Sequence, residues 1–482
     1  MRRLSLVALV LVVTIAGVSA QPQRARHSPR DESAEAATAK RFAAIRSEPL
    51  PLRAFLREMP KGGDLHNHLS GSIYAESYLL WAADDKLCFV IATMTIAAGT
   101  CDATAGNPPV RALFENTALY NDAIDALSMR HWNPLLNGHD HFFAAFAKFG
   151  PASGKTGEML ADVTSRAAAD HVSYLELMLT PAGATVFRLA GGISFDSDLA
   201  QLREKFLATG LRDAVLGETK TRLDTAEARQ RELLRCGTPR ADAGCTVTVR
   251  YIAQVARAGV PQAVFGQMLA GFELATRDPR VVSLNLVQPE DDPTALRDFR
   301  LQMSMLDFLH RHYPNVPITL HAGELTEGLV PPPALSDHIR QSVVTGHASR
   351  IGHGVSVMSE DNPFALLRDM AAKRILVEIT LSSNDQILGV KGQRHPLRTY
   401  LRHGVPVAIA TDDMGVSRSS HTQEFVKAVE EHGLDYRTLK GMVRNSIEYS
   451  FADPATKARL KANLEAALAA FERRQAAGMP ES

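Results

Sequence analysis

Short runs that favour β-structure recur along the chain, and amphipathic stretches with a helical period lie between them. The runs that predict strands are Asp64–His68, Ser173–Thr180, Thr246–Val255, Val281–Val287, Pro317–His321, Arg350–His353, Ile375–Thr380 and Pro406–Thr411. The stretches that predict helices include 142–149, 158–170, 199–211, 295–310, 362–373 and 423–431. Strands that alternate with helices favour a parallel sheet, and eight such units predict an α/β fold of the closed (β/α)8 TIM-barrel type.

Two intervals between predicted strands, about 82–137 and 214–244, are longer than a crossover helix needs. We expect both to be insertions in one barrel domain that spans residues 40–482, and not separate domains. The first interval predicts a helix near 111–127 and the second a charged helix. A further helix is predicted at 454–477, after the last strand.

The first twenty residues have the composition of a secretory signal peptide. Arg2 and Arg3 precede an apolar run over 4–18, and small residues up to Ala20 form a cleavage site. The run is shorter than the ~20 residues of a membrane-spanning helix. We therefore expect export to the periplasm or the medium, with no membrane attachment after the leader is removed. Residues 21–39 are polar and show no apolar period, so we expect a flexible segment.

The four cysteines form two close pairs, which matters because an exported protein lives where thiols oxidise. Each pair closes a short loop that contains turn residues. Of the three connectivities that four cysteines allow, we therefore predict disulfides Cys88–Cys101 and Cys236–Cys245. The absence of Cys-x-x-Cys spacing disfavours a thiolate zinc site, thioredoxin-like redox chemistry and the zinc deaminases with a Pro-Cys-x-x-Cys motif.

The balance of charged residues argues against nucleic acid and anionic membranes as partners. The chain of 482 residues is 45% hydrophobic, enough for a large core, and it contains 53 Lys plus Arg against 53 Asp plus Glu. Loss of Arg2 and Arg3 with the leader leaves 51 against 53, a formal net charge of −2. No global field draws the protein to nucleic acid or to an anionic membrane, so we expect neither as a partner.

Polar side chains gather at the carboxyl ends of the predicted strands, where barrel enzymes place their chemistry. The first strand ends in His66-Asn67-His68, and the period of two puts both imidazoles on one face, suited to one metal. The fifth strand ends at His321, a third imidazole. Glu324, three residues on, is placed to move protons as a general acid or base.

Two more strand ends add to this cluster. His353 stands between two glycines after the sixth strand, a second candidate for proton transfer or electrostatic stabilisation. The eighth strand runs into Asp412-Asp413, whose repulsion a metal on one carboxylate and a hydrogen-bond donor on the other would relieve. Singly, each of these residues is more often structural. Together, on four strands at one barrel end, they indicate a catalytic site.

Four motifs, in this order, resemble those of the adenosine deaminases of the amidohydrolase superfamily. They are His-x-His-Leu at 66–69, His-Ala-Gly-Glu at 321–324, Arg-Ile-Gly-His-Gly at 350–354 and Thr-Asp-Asp at 411–413, and the resemblance covers most of residues 60–450. The stretch 59–66, the leader and the insertion with the first cysteine pair are most similar to the secreted, growth-factor-related branch.

The resemblance implies a ligand set and a reaction. One Zn2+ per chain would be held by His66, His68, His321 and Asp412. Glu324 would protonate the purine at N1, His353 would orient the attacking water, and Asp413 would hydrogen-bond N7. Ser383 and Asn384, after the seventh strand, are candidates to support the metal or His353. The implied function is an exported zinc-dependent adenosine deaminase that converts adenosine or 2′-deoxyadenosine to inosine or 2′-deoxyinosine plus ammonia.

Three departures from the family pattern bear on the substrate. Ser70 stands where many members have an Asp that contacts the ribose, and Gln288 stands where Gly is usual. Met414 replaces a Pro, which we expect to change loop stiffness only. Two alternatives stay open: the same chemistry on another aminopurine, such as an N6-modified adenosine or an adenine nucleotide, and a nucleoside-binding or signalling protein without catalysis. The insertion at 82–137 is also a candidate contact for a homodimer.

Overall fold

The computed structural model describes residues 29–135 and 137–478. The predicted signal peptide and residues 21–28 lie outside this described part. Within it the chain forms ten strands. They are β1 (Gly62–His68), β2 (Cys88–Val90), β3 (Thr95–Ala97), β4 (Val172–Leu179), β5 (Thr248–Ala256), β6 (Val281–Val287), β7 (Thr319–Ala322), β8 (Arg350–His353), β9 (Leu376–Ile379) and β10 (Val407–Ile409).

Eight of these strands close into a barrel. All neighbours pair in parallel, in the orders β1-β4-β5-β6 and β7-β8-β9-β10. Parallel bridges join the two halves, Leu284 to Ile318 on one side and Asn67 to Asp412 on the other. The predicted α/β barrel is confirmed, and each of the eight predicted runs overlaps a barrel strand.

Helices occupy the connections. They are α1 (Pro29–Ile45), α2 (Pro49–Glu58), α3 (Ala75–Asp84), α4 (Thr117–Ala126), α5 (Gly138–Phe149), α6 (Thr156–Ala169), α7 (Gly183–Ala190), α8 (Leu199–Ala208), α9 (Leu211–Leu233), α10 (Pro261–Arg277), α11 (Pro293–His312), α12 (His338–Val344), α13 (Pro363–Lys373), α14 (Leu381–Leu388), α15 (Leu397–Arg402), α16 (His421–His432), α17 (Tyr436–Glu448) and α18 (Pro454–Ala476). None of these helices is both long and apolar enough to cross a bilayer.

The amino-terminal segment differs from the flexible stretch expected over 21–39, because helix α1 already begins at Pro29. The helix packs along α18 with a stripe spaced by four residues, in which Ala34, Thr38 and Phe42 are buried. Thr38 also donates to the carbonyl of Glu472. Two of the three stripe residues are small or polar, which explains why the sequence shows no apolar period here.

Both long intervals decorate the barrel. The first contains the antiparallel hairpin of β2 and β3, followed by α4, and the Cys88–Cys101 disulfide joins the hairpin to the loop after it. The second contains most of α9 and ends at the Cys236–Cys245 disulfide. The Cα atoms of the two pairs are 5.3 and 5.6 Å apart, and both predicted pairings are confirmed.

Candidate active site

The polar strand ends line one cavity of about 400 Å³ at the mouth of the barrel. The lining residues that the sequence analysis predicted for the site are His68, Ser70, Gln288, His321, Glu324, His353, Asp412 and Asp413. Phe142, Phe143 and Phe146 of α5 also line it, next to the polar groups. The cavity therefore combines an apolar wall, suited to a flat ring, with a floor of ionisable groups.

Four donor atoms converge at the floor. Nε2 of His321 lies 3.1 Å from Nε2 of His66 and 3.2 Å from Nε2 of His68. Asp412 Oδ1 lies 3.3 and 3.4 Å from the same nitrogens of His66 and His68. All four side chains are buried, and they form the candidate metal-binding group of the described residues together with a second, overlapping set of Glu324, His353 and Asp412.

The opposite ring nitrogen of each histidine is held by a side chain that sequence reasoning did not identify, and two of these three side chains, Glu378 and Asn285, are fully buried. His66 Nδ1 lies 2.6 Å from Glu378 Oε2, and His321 Nδ1 lies 2.9 Å from Asn285 Oδ1. His68 Nδ1 lies 2.7 Å from the Gln254 amide. These contacts turn the three Nε2 atoms toward one point, as outer partners of metal-bound histidines do.

The charge balance of the cluster calls for a cation. Burial opposes protonation of His66, but hydrogen bonds with Asp412 and Glu378 prevail and raise its pKa to about 10. Burial lowers the pKa of His68 to about 3, and that of His321 also falls far below its ordinary range. The buried carboxylates thus favour a positive charge at this point, and three imidazole nitrogens with one carboxylate oxygen would give a divalent metal four protein ligands.

Glu378 owes its position to the interior of the barrel. Its Oε1 forms an ion pair with Arg350, whose Nε lies 2.7 Å away, and accepts a hydrogen bond from Thr319 Oγ1 at 2.9 Å. Burial alone would raise the pKa of Glu378, but Arg350 and the bond to His66 outweigh it and lower the pKa. Arg350 is balanced in turn by Glu176 at 2.6 Å. The carboxylate that orients His66 is therefore ionised and fixed.

Glu324 and Asp413 present unpaired oxygens to the cavity. Among the described residues, Glu324 Oε1 and Asp413 Oδ1 are buried and have no hydrogen-bond partner. Burial, reinforced by the neighbouring Asp412 charge, raises the pKa of both carboxyls well above their ordinary values. The raised pKa favours the protonated form of each side chain, which can donate a proton or a hydrogen bond.

The turn after β7 fixes the position of Glu324. Glu290 accepts from the backbone N–H of Gly323 at 3.2 Å and of Glu324 at 2.8 Å. Gly323 has a positive φ of 75°, and a Cβ there would lie 2.7 Å from Ile339 and 2.9 Å from Ser356. Only glycine fits this tight turn, which sends Glu324 over the cavity.

Three non-glycine residues at the mouth have a left-handed backbone. His353 has φ 68°, Asp412 has φ 59° and Gln288 has φ 79°. Such conformations cost roughly 1–3 kcal/mol each and cluster at functional sites. Asp412 is held in this conformation by two bonds to β1, since its N–H donates to the His66 carbonyl and its carbonyl accepts from the His68 N–H.

The two residues expected at the substrate end are less constrained. Ser70 lines the cavity, and its carbonyl accepts from the Tyr78 hydroxyl. Gln288 is exposed, and its Oε1 accepts from the Ala258 N–H at 3.0 Å. Gly71, next to Ser70, packs so closely on Asp413 that a Cβ would lie 1.5 Å from Oδ1.

A family model described as adenosine deaminase matches residues 158–467. An adenosine deaminase of Enterococcus faecalis is 31% identical over 154 residues, 32% of this chain and 42% of that protein. An aminodeoxyfutalosine deaminase of Streptomyces coelicolor is 33% identical over 152 residues, 31% of this chain and 36% of that protein. The chain thus spans less than half the length of these curated relatives.

Solved structures share the fold. The Arabidopsis N6-mAMP deaminase aligns with a TM-score of 0.53 and 19% identity over 86% of this chain and 99% of its own. An amidohydrolase from Burkholderia ambifaria with bound Zn aligns with a TM-score of 0.53 and 18% identity over 88% and 95%. The family match includes His321, Glu324, His353, Asp412 and Asp413, whereas His66 and His68 precede it, so the fold alone brings β1 to the cluster.

Proposed function

This chain belongs to the adenosine deaminase family, and from that premise we propose that it is a zinc-dependent deaminase that hydrolyses adenosine or 2′-deoxyadenosine to the inosine nucleoside and ammonia. One observation carries the proposal: a cluster of three imidazole nitrogens and a carboxylate shares its cavity with a buried, unpaired carboxylic acid, Glu324. Hydrolytic deamination needs both parts, a site that activates water and an acid that protonates the ring.

His66, His68, His321 and Asp412 would hold the metal. A divalent metal in such a site lowers the pKa of bound water to about 7, which makes a strong nucleophile available at neutral pH. Imidazole and carboxylate donors suit Zn2+, although Co2+, Fe2+ and Mn2+ also accept them. The bound Zn of the Burkholderia structure supports zinc.

The other side chains position the purine and move its protons. Glu324, whose pKa is raised, would donate its proton to N1, which removes electron density from C6 as the water oxygen attacks there. Asp413, also protonated, can donate a hydrogen bond to the lone pair of N7. One proton of the attacking water restores the proton that Glu324 gave to N1, and the other goes to the amino group, which leaves as ammonia while C6 keeps the oxygen as a carbonyl. His353 lies beside Glu324, with its Nδ1 3.5 Å from Glu324 Oε1.

Steady-state kinetics tests this assignment. Purified protein that starts at Gln21 should consume adenosine, with loss of the ultraviolet absorbance of the adenine ring as hypoxanthine forms. The panel should include 2′-deoxyadenosine, AMP, N6-methyladenosine and adenine. A higher kcat/KM for any other member than for adenosine would contradict the proposed substrate, and binding of adenosine without turnover would indicate a non-catalytic nucleoside-binding protein.

A second cavity favours one alternative, an adenine nucleotide. It measures about 670 Å³ and meets the first at Ser70 and Gln254. Its cationic lining residues are Lys155, Arg222 and Arg229, against the single acid Glu158. Ser70 lacks the charge of the usual Asp, so a phosphate that extends past it would reach these three cations, which pair with Asp85, Glu218 and Glu158 in the structure.

Two charge-removing variants separate these substrates. For a nucleotide deaminase, Lys155→Ala and Arg222→Ala should lower kcat/KM for AMP and leave adenosine unaffected. Lys220→Ala serves as the matched control, because Lys220 is an exposed cation on the same helix α9 as Arg222, outside the cavity. Equal effects of all three variants on AMP would argue against a phosphate subsite.

We also propose export. The leader-like residues 1–20 motivate it, and two disulfides are consistent with an oxidising compartment. Fractionation of expressing cells, with sequencing of the mature amino terminus, should find protein outside the cytoplasm beginning at Gln21. Full-length protein retained in the cytoplasm would contradict export.

A further inference from the structure

The two ring nitrogens of His353 have different surroundings. Nδ1 lies 2.9 Å from Thr380 Oγ1 and 3.0 Å from Asn384 Nδ2, with Glu324 Oε1 farther off at 3.5 Å. Nε2 is buried and has no hydrogen-bond partner among the described residues. Because His353 lines the cavity, Nε2 is the nitrogen that a substrate or water meets. Whether Nε2 carries a proton decides whether it donates or accepts there.

A buried chain of bonds behind His353 answers that question. It begins at the backbone N–H of Leu397, which donates to Nδ1 of His395 at 3.2 Å. A backbone N–H can only donate, so this Nδ1 carries no proton. Burial lowers the pKa of His395 to about 3, so the ring is neutral and its one proton is on Nε2. That Nε2 lies 3.1 Å from Asn384 Oδ1 and donates to it.

The orientation of the Asn384 amide follows. Its oxygen accepts from His395, so its nitrogen faces His353. An amide nitrogen offers only hydrogens, and Nδ1 of His353 must accept with its lone pair. Because Nδ1 of His353 accepts, it carries no proton, and the proton of the ring is on Nε2. Asn384 lies in α14 and is completely buried, so its amide has no access to solvent water as an alternative hydrogen-bond partner.

We propose that His395 and Asn384 are positioning residues that lock His353 in the tautomer with its proton on Nε2, which makes it a hydrogen-bond donor to the oxygen at C6. The inference rests on the proposed function for the identity of that oxygen. In this tautomer His353 cannot take a proton from the attacking water. It stabilises the charge that grows on the oxygen as the bond to C6 forms.

An isosteric variant of Asn384 should move the ring proton of His353 from Nε2 to Nδ1. In Asn384→Asp both side-chain oxygens accept, so the carboxylate still pairs with His395 but draws a proton onto Nδ1 of His353. Loss of one preorganised donor should lower kcat about 10²-fold, with KM and metal content close to wild type. NMR of the ring nitrogens in histidine-labelled holoenzyme reports the tautomer directly, with His353→Asn identifying the signal.

The His395 position supplies a conservative rescue. His395→Gln still presents an N–H to Asn384 and should keep the wild-type tautomer and most of the turnover. His395→Leu removes that donor and should lower kcat roughly 10–100-fold. His432→Leu is the matched control, because His432 is buried beside His395, with ring centroids 5.6 Å apart, and its nitrogens have no hydrogen-bond partner among the described residues.

The NMR spectrum and the kinetics test different claims, so a negative result in one does not decide the other. A wild-type His353 with its proton on Nδ1 would overturn the lock even if the protein deaminates adenosine. Equal losses in His395→Gln and His395→Leu, with the wild-type tautomer retained in both, would reduce His395 to a packing residue and also overturn it. Because the NMR measurement needs no substrate, absence of adenosine turnover would contradict the proposed function and leave the tautomer assignment standing.

Discussion

The two sides of the cavity are held in different ways. On the side of the candidate metal site, each histidine has its second nitrogen bound to another side chain, and Glu378 is fixed by Arg350 in the barrel interior. On the substrate side, Ser70 and Gln288 lie in loops, and the exposed Gln288 is tied only to a neighbouring backbone N–H. Under the proposed function, the rigid strands therefore fix the catalytic groups, whereas the loops select the purine.

The largest effect should come from the acid that joins the two sides. Glu324→Gln removes the proton donor to N1 but keeps the shape and leaves the four-donor cluster complete. We expect kcat to fall about 10²–10⁴-fold with metal content unchanged. Turnover and metal analysis on the same sample check this. Loss of metal together with activity would place Glu324 among the ligands and remove the distinction between the two sides.

Weakening the support of the metal side should cost less. Glu378→Gln keeps a hydrogen-bond acceptor for His66 but removes the charge, and we expect metal affinity to fall roughly 10–100-fold. Competition with a chelator of known affinity measures it. Glu360→Gln is a matched control, because Glu360 is also buried but bonds the backbone of Ile339. Equal affinities for Glu378→Gln and wild type would show that β9 does not organise the cluster.

Variants of Asp413 test whether this side chain recognises the purine as a hydrogen-bond donor, in its protonated form. Because its pKa is raised, Asp413 should donate to N7, and Asn at this position can donate as well. We expect Asp413→Ala to raise KM by about tenfold, in line with one lost buried hydrogen bond, and Asp413→Asn to raise it less. If the two variants raise KM equally, the donor interpretation fails.

The smallest effect should appear on the substrate side. Gln288→Gly relieves a positive φ but frees the unfolded backbone, so we expect the free energy of unfolding to change by less than about 1 kcal/mol. The ratio of kcat/KM for N6-methyladenosine to that for adenosine should shift, with metal content constant. Thermal unfolding measures the change in stability, and the kcat/KM values for the two substrates give the ratio. A loss of metal would show that this loop also supports the cluster.

Much of this site could be predicted because its residues lie at the ends of strands that the sequence pattern predicts. His66, His68, His321, Glu324, His353, Asp412 and Asp413 all line or floor one cavity, as their places after alternating strands and helices indicated. The period of two within a strand and the common edge of parallel strands are local rules, so they need no knowledge of distant contacts.

The supporting residues could not be predicted in the same way. Asn285 and Glu378 lie inside strands that otherwise appear apolar, and their partners are more than thirty residues away in sequence. A polar residue within a buried strand was the available signal. Helix α10 was missed because it is buried along most of its length and lacks a polar face, and the aromatic wall of α5 appeared as ordinary core.

The central claim is that one metal on the four-donor cluster is needed for deamination. The most direct test removes metal from the purified protein by chelation and then measures adenosine turnover as Zn2+ is returned in known amounts. We predict no turnover without metal, and a linear recovery that ends at one equivalent per chain. Full turnover by the metal-free protein, or a recovery that needs two equivalents, would contradict the account.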